Sequence, residues 1–379
     1  MGKPIKDLLM SGETLFREER VFDLGHIPEN FIHRDAQMEG IALCLRPALR
    51  GGRPLNARIL GPPATGKTTA VKVLFDQVEA TPEGQKVVCV HINSQIHSSK
   101  FAIFSQIHKK VLGHAPPETG VPFQRVYEQV FKKLMKEEKS LVVALDDMNY
   151  LFHDRHANDI IYDILKAPEF FPGVRTALFG ILSDTEFVYK LEARVASLYK
   201  PQEVFFPPYS MGEMLDILRN RTKLGLYPGV ASDEVIEKVA SYASAHGDLR
   251  VGIELLMVSA RIAEADSSRK IEDAHVERAY ERSRLVNLRQ LLQSLDPEEL
   301  ELMKLAAGAG DKIDSGDLYT HFKERVGQSY TKFYRILDKL ESIRMIDTKF
   351  TGHGRKGRTR IITSRYGGEE ITGALQGQR

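Results

Sequence analysis

The sequence predicts an α/β protein: a parallel sheet covered on both faces, then a small helical unit, then a C-terminal winged helix-turn-helix. Three observations predict it. Short apolar runs separated by helical stretches, each with polar residues at its carboxyl edge, read as strands of a parallel sheet. From Ser210 onward, capped helical segments follow one another without an intervening strand. The chain then closes on further helices and two strands around a glycine-rich basic tip.

In order, residues 1–25 form an amphipathic lead-in without a chemical signal, and Ile27 to Ile41 is a proline-bounded turn running into a helix. Ala57-Arg58-Ile59-Leu60 reads as a short buried strand. It opens into Gly61-Pro62-Pro63-Ala64-Thr65-Gly66-Lys67-Thr68-Thr69, which meets the phosphate-loop pattern G-x-x-x-x-G-K-[ST] at every fixed position. The spacing has a physical cause. Several backbone N–H groups must converge on phosphate oxygens, and glycine stands where a side chain would collide. Lys67 is therefore expected on the β- and γ-phosphates of ATP or ADP and Thr68 on Mg²⁺, with the helix Thr68 to Val78 presenting its positive end to the phosphates. His33 and Arg34, in the preceding turn, are candidates for the adenine side.

Lys86 to Ile92 is a continuous β-branched run and reads as a buried strand. Asn93 to Val111 reads as a helix, His114 to Pro122 breaks it, and Phe123 to Glu138 resumes one. Ser140 to Asp147 is a strand ending in two adjacent acids, the Walker B arrangement, in which Asp146 holds Mg²⁺ and Asp147 orients the attacking water. Arg175 to Leu182 is another strand with Ser183-Asp184 at its end, and Val204-Phe205-Phe206 closes the sheet. Ligands are expected along the shared carboxyl edge.

After Pro207-Pro208, a capping box, Ser210-Met211-Gly212-Glu213, starts a helix to about Leu224. Asp233 to His246, Asp248 to Ala265 and Asp273 to Leu285 follow, with Gly247 as a stop. Arg250 lies in a first turn, where this unit would fold over the nucleotide. Asp296-Pro297-Glu298-Glu299 starts the last unit with an aspartate cap and a first-turn proline. Ser315 to Val326 and Ser329 to Ile343 are its next helices, and Phe333, Ile336, Leu337 and Leu340 form the buried stripe of the second. Its other faces carry Tyr330, Thr331, Lys332, Tyr334, Arg335 and Lys339, able to meet phosphates or base edges. Strands Met345 to Phe350 and Thr359 to Thr363 flank a tip holding Arg355, Lys356 and Arg358. From Lys349 to Arg365 there are six Lys/Arg residues and no acid, so these three are candidates for DNA contact. The tail from Gly367 reads as frayed. Domains are expected at 1–208, 209–288 and 289–379.

A chain of 379 residues accommodates two or three domains, and 42% hydrophobic residues supply their cores. A net charge of +2 excludes a uniformly basic nucleic-acid binder, so DNA contact must come from local patches. Cys44 and Cys89 have no partner at metal-ligand spacing, which argues against zinc or a disulfide framework and fits a reducing interior. No apolar run approaches the roughly 18 residues of a membrane span, so no membrane partner is expected. The first 25 residues mix acids and bases, unlike a secretory signal. A cytoplasmic protein is expected.

Pro28 to Glu39, Val204-Phe205-Phe206-Pro207-Pro208-Tyr209, Gly247-Asp248-Leu249-Arg250 and the terminal winged helix together resemble a known family. It is that of the archaeal origin-recognition and cell-division-cycle type replication initiators, and the likeness runs from residue 25 to residue 365. The resemblance implies an AAA+ ATPase sheet domain with a helical lid, plus a winged-helix DNA reader. It implies ATP-dependent binding of double-stranded origin DNA and recruitment of the replicative helicase, with other initiator subunits as partners. It places the Walker A pair at Lys67 and Thr68, the Walker B pair at Asp146 and Asp147, sensor 1 at Ser183 and sensor 2 at Arg250. Arg194 matches an arginine that reaches phosphates, including those of a neighbouring subunit. Asn93 to Val130 corresponds to an inserted helical feature that touches DNA. Asp147 replaces the family's usual glutamate, Asn149 an acid and Ser183 an asparagine. All three lie near the attacking water, so tight nucleotide binding with slow hydrolysis is expected. Two rival functions fit the same parts: a STAND-type regulatory ATPase whose winged helix contacts protein, and a clamp-loader-like hydrolase. The acid-free wing favours DNA over the first, and the changes at Asp147 and Ser183 disfavour the second.

Overall fold

In the computed structural model, which describes residues 14–117, 119–152, 157–183, 191–310, 312–350 and 360–376, five apolar runs become one parallel sheet. Its strands are β1 (Ala57–Leu60), β2 (Val87–Asn93), β3 (Ser140–Asp146), β4 (Arg175–Leu182) and β5 (Gln202–Phe205), in the order β2-β3-β4-β1-β5. Every residue of β3 is buried, as a central strand covered on both faces requires. Its side chains alternate. Val142 and Ala144 join one core with α1 (Asp35–Leu49) and α2 (Lys67–Glu79), whereas Leu141, Val143 and Leu145 join another with α3 (Lys100–Leu112), α4 (Phe123–Lys136) and α5 (Ala157–Phe170). The helix expected from Asn93 begins only at Lys100. The Asn93 side chain instead accepts from the N–H groups of Gln95 and Ile96, and Ser99 caps the helix.

The strand register sets the site. Asn93 lies opposite Asp146, and Leu60 lies opposite both Leu182 and Phe205. The residues that follow β1, β3, β4 and β5 therefore leave the sheet along one edge. The short α6 (Ala193–Ala196) precedes β5, and α7 (Met211–Gly225), α8 (Asp233–His246) and α9 (Leu249–Ala265) follow it, capped by Ser210, Ser232 and Asp248.

The described part of the lead-in is not an idle segment. Arg17 and Glu18 donate to the Gly225 carbonyl, Phe16 pairs with Leu226, and Phe22 is buried. A Cβ on Gly225 would come within 2.3 Å of the Phe22 ring, so only glycine lets this strap lie on the end of α7.

These elements form one unit, Met1–Glu272, and a second unit spans Asp273–Arg379. The second holds α10 (Asp273–Gln293), α11 (Pro297–Gly308), α12 (Ser315–Val326), α13 (Tyr330–Ser342) and α14 (Gly368–Gln376). Its antiparallel sheet has the order β6-β8-β7, from β6 (Ile313–Asp314), β7 (Ile346–Phe350) and β8 (Arg360–Ser364). The helix expected to stop at Leu285 runs to Gln293, because Leu288 and Leu292 enter this core. The tail expected to fray is α14. Ile371 and Ala374 are buried against the core, and Arg284 Nη2 meets Glu370 Oε2 at 2.9 Å. Ile371, Ala374 and Leu375 carried the helical spacing, outweighing the two glycines before them. Among the described residues no helix is long and apolar enough to cross a membrane.

Candidate functional site

The phosphate loop is shaped by what surrounds it. Gly61, Ala64 and Gly66 have φ of 151°, 61° and 91°. At Gly61 a Cβ would lie 2.2 Å from the Phe206 carbonyl oxygen, and at Gly66 it would lie 2.7 Å from the Tyr209 hydroxyl. Both glycines are thus demanded by backbone geometry and close approach together. Lys67 is buried and its Nζ donates to the carbonyls of Gly61 (2.7 Å) and Pro62 (2.6 Å). Burial pushes its pKa down to about 8, against the pull of Asp146 and Asp147.

Asp146 is held by three donors or partners. Thr68 Oγ1 donates to its Oδ2 at 2.8 Å, His91 Nε2 lies 3.0 Å from the same oxygen, and the Asp147 N–H reaches Oδ1 at 3.2 Å. Burial works against the carboxylate, but these contacts outweigh it and hold the pKa below the ordinary value. Asp147 behaves oppositely: burial first and the charge of Asp146 second raise its pKa. Its backbone turns sharply, with φ of 51°.

Pro63 to Thr69, Asp146, Asp147, Ser183 and Arg250 line one cavity of about 560 Å³. Apolar side chains line the same cavity, among them Leu24, Ile27, Phe31, Ile217, Leu224 and Ile253. Cations and acids together with apolar side chains in one cavity suit a polyphosphate and a planar base. Arg250 is ion-paired with Asp248 at 2.6 Å, which raises its pKa.

Other expected residues lie elsewhere. Arg194 sits on α6 outside this cavity, held by Asp159 and Glu192 at 2.7 Å each. His33 meets Asp216 at 3.1 Å, and Arg34 is only 2% exposed, bonded to backbone carbonyls; neither lines the cavity, so neither faces a base there. His91 was missed because a lone histidine in an apolar strand carries no signal of its own. Leu24 was missed inside a segment read as a lead-in.

In the second unit, α13 divides its expected DNA residues between faces. Lys332 pairs with Glu298 and Lys339 with Glu299, both acids in the first turn of α11. The Tyr330 hydroxyl donates to that of Tyr334 at 3.1 Å, and Tyr334 in turn donates to Ser315 Oγ at 3.3 Å. The Tyr330 ring meets Tyr319 edge-on at 4.9 Å. Thr331 and Arg335 are exposed on the outward face. Arg360 pairs with Asp338 beside the Tyr334 ring. Arg355, Lys356 and Arg358 lie outside the described residues.

A phosphate loop, an acidic strand end and a lid arginine around one cavity define an AAA+ nucleotide-binding module with a helical lid, here in a chain that also carries a winged helix. Residues 30–157 match the AAA ATPase domain, and residues 215–281 match the Cdc6 AAA+ ATPase-type lid domain. The chain is 49% identical over 369 residues to ORC1-type DNA replication protein 2 of Methanothermobacter thermautotrophicus, covering 97% of each. It is 44% identical to the protein of the same name from Methanosarcina acetivorans, covering 98% of each. The structure of the Aeropyrum pernix ORC1 protein in complex with DNA aligns with a TM-score of 0.70 at 26% identity, over 96% of this chain and 97% of that one. The chain belongs to the ORC1-type DNA replication proteins.

Proposed function

We propose that this chain is a replication initiator that binds double-stranded origin DNA under the control of bound ATP or ADP and helps recruit the replicative helicase, working beside other initiator subunits at the nucleoid. The observation that carries the reading is the convergence of Lys67, Thr68, Asp146, Asp147 and Arg250 on one cavity. The relatives are named as replication proteins, and the Aeropyrum pernix protein was solved in complex with DNA, which supports a DNA partner.

Lys67 and Arg250 would exchange their present partners, loop carbonyls and Asp248, for phosphate oxygens. Thr68 and Asp146 are hard oxygen donors 2.8 Å apart at the sheet edge, and they fit Mg²⁺. When bound there, Mg²⁺ would neutralise charge on the β- and γ-phosphate oxygens. Asp147 would orient water, but it reaches one methylene less far than a glutamate, and Ser183 offers only a short hydroxyl at the end of β4. Slow turnover follows.

Nuclease footprinting of an origin duplex, with wild type and Lys67→Ala, with and without ATP, tests the reading. The wild-type footprint is expected to change with nucleotide and that of the variant to stay constant. Identical footprints in all four lanes would overturn it.

A further inference from the structure

The segment that joins sheet to lid, Phe206 to Tyr209, lies directly against the phosphate loop. The Phe206 N–H donates to the Leu60 carbonyl at 2.7 Å. Its own carbonyl occupies the space a Cβ on Gly61 would need, and the Tyr209 hydroxyl occupies that beside Gly66. Arg34 ties the two strands of chain together. Its Nε donates to the Thr65 carbonyl at 3.0 Å, its Nη2 to the Pro207 carbonyl at 2.8 Å and its Nη1 to the His33 carbonyl at 2.9 Å. The guanidinium stacks 3.6 Å from the centre of the Tyr209 ring, and Nη1 stands 3.8 Å from Glu213 in the first turn of α7.

A guanidinium is this deeply buried only when its fork is satisfied, and here backbone carbonyls of two different segments satisfy it. The bond to Thr65 has a geometric consequence. A trans peptide is planar, so the C=O of Thr65 and the N–H of Gly66 point in opposite directions. By holding that carbonyl, Arg34 turns the Gly66 N–H away from itself, toward the cavity that Gly66 lines and Arg34 does not. The same side chain holds the carbonyl of Pro207.

We propose that Arg34, seated on Tyr209, is a positioning residue that sets a phosphate-binding N–H of the loop and transmits loop occupancy to the lid through residues 206–209. This route runs parallel to Arg250, which would touch the phosphates itself. The inference rests on the nucleotide reading above. Arg34 touches no ligand. It makes the loop peptide and the linker peptide move as one body, so a loop pulled onto phosphates carries the start of α7 with it.

The test uses the full chain, a fluorescent non-hydrolysable ATP analogue, and hydrogen exchange of residues 211–225 in free and analogue-saturated protein. Arg34→Lys keeps the charge but cannot bridge Thr65 and Pro207 with a planar fork. It is expected to bind the analogue about tenfold more weakly, the loss of one charge-assisted hydrogen bond. At saturation it is expected to lose the protection of residues 211–225 that the wild type gains. A purely structural arginine would leave that saturated difference intact, so equal protection in variant and wild type overturns the inference. Should Arg34→Lys fail to fold, Tyr209→Leu, which removes the ring beneath the guanidinium, carries the same expectation and the same refutation. A wild type that binds no analogue overturns the nucleotide reading and this inference with it, a result distinct from wild-type protection that both variants retain.

Discussion

Glu298→Gln tests whether the α13 face carries DNA. Lys332 is paired with Glu298 and Lys339 with Glu299, so two of the lysines expected on phosphates are neutralised within the domain. Glu298 is the acid to remove. Its side chain is 29% exposed, and glutamine keeps an acceptor for the Gln328 amide, which donates to Oε1 at 2.8 Å. Glu299 is unsuitable, because it closes a capping box by accepting from the Asp296 N–H at 3.0 Å. Loss of one acid from a helix first turn costs about 0.3–1 kcal/mol of stability, too little to unfold the domain. Lys332 then becomes available to a phosphate. Each phosphate neutralised steepens log affinity against log salt by about 0.9, which over a fourfold rise in salt is about a 3.5-fold greater loss of affinity. Fluorescence anisotropy of a labelled origin duplex across a salt series reads this directly. The variant is expected to bind more tightly at low salt and on a steeper line. Adding Lys332→Ala should restore the wild-type slope, whereas Lys332→Ala alone should change it little, a double-mutant cycle with a defined sign. Parallel lines for wild type and Glu298→Gln would refute the assignment of this face to DNA.

Three further outcomes are expected. The folded pKa of Lys67 is pushed down to about 8 from 10.5, so between these values the folded chain binds fewer protons than the unfolded one and stability rises with pH. Lys67→Met should therefore stabilise nucleotide-free protein near neutral pH, by up to about 3 kcal/mol less the lost carbonyl bonds, with the gain shrinking above that folded pKa; calorimetry at two pH values, read as a raised melting temperature, checks it. Asp147→Glu, which restores the missing methylene, should raise steady-state phosphate release about tenfold or more. Ile371→Ala should destabilise the protein by roughly 2–4 kcal/mol in urea unfolding, because its side chain is 1% exposed in the second core.

The phosphate loop and the strand ending in Asp146 were legible because backbone geometry dictates residue type there: glycine at two left-handed positions, a lysine and a hydroxyl at fixed offsets. The buried stripe of α13 was legible for the same reason, since spacing alone selects it. Which face its lysines occupy was not. Lys332 and Lys339 lie seven residues apart and so share a face, but only the tertiary placement of α11 puts Glu298 and Glu299 against that face. Arg34 was illegible in a stronger sense. Its hydrogen-bond partners are three backbone carbonyls, and a carbonyl leaves no mark in a sequence. The α5 helix was overlooked between two stronger signals, though its Ile160, Ile161, Ile164 and Leu165 carry helical spacing.

A common arrangement governs how these sites respond to ligands. Four of the described cations that a ligand would use already hold an internal partner: Lys67 the carbonyls of its own loop, Arg250 the carboxylate of Asp248, Lys332 and Lys339 the acids of α11. Arg194 is held in the same way by Asp159 and Glu192. Binding at such a site is an exchange, so the free energy gained is the difference between the new contact and the old one. The partners therefore tune affinity as strongly as the cations do, and with opposite sign: neutralising an acid tightens binding where neutralising its cation weakens it. That sign separates a ligand-binding cation from one that merely braces the fold, because removing the partner of a brace only destabilises the protein.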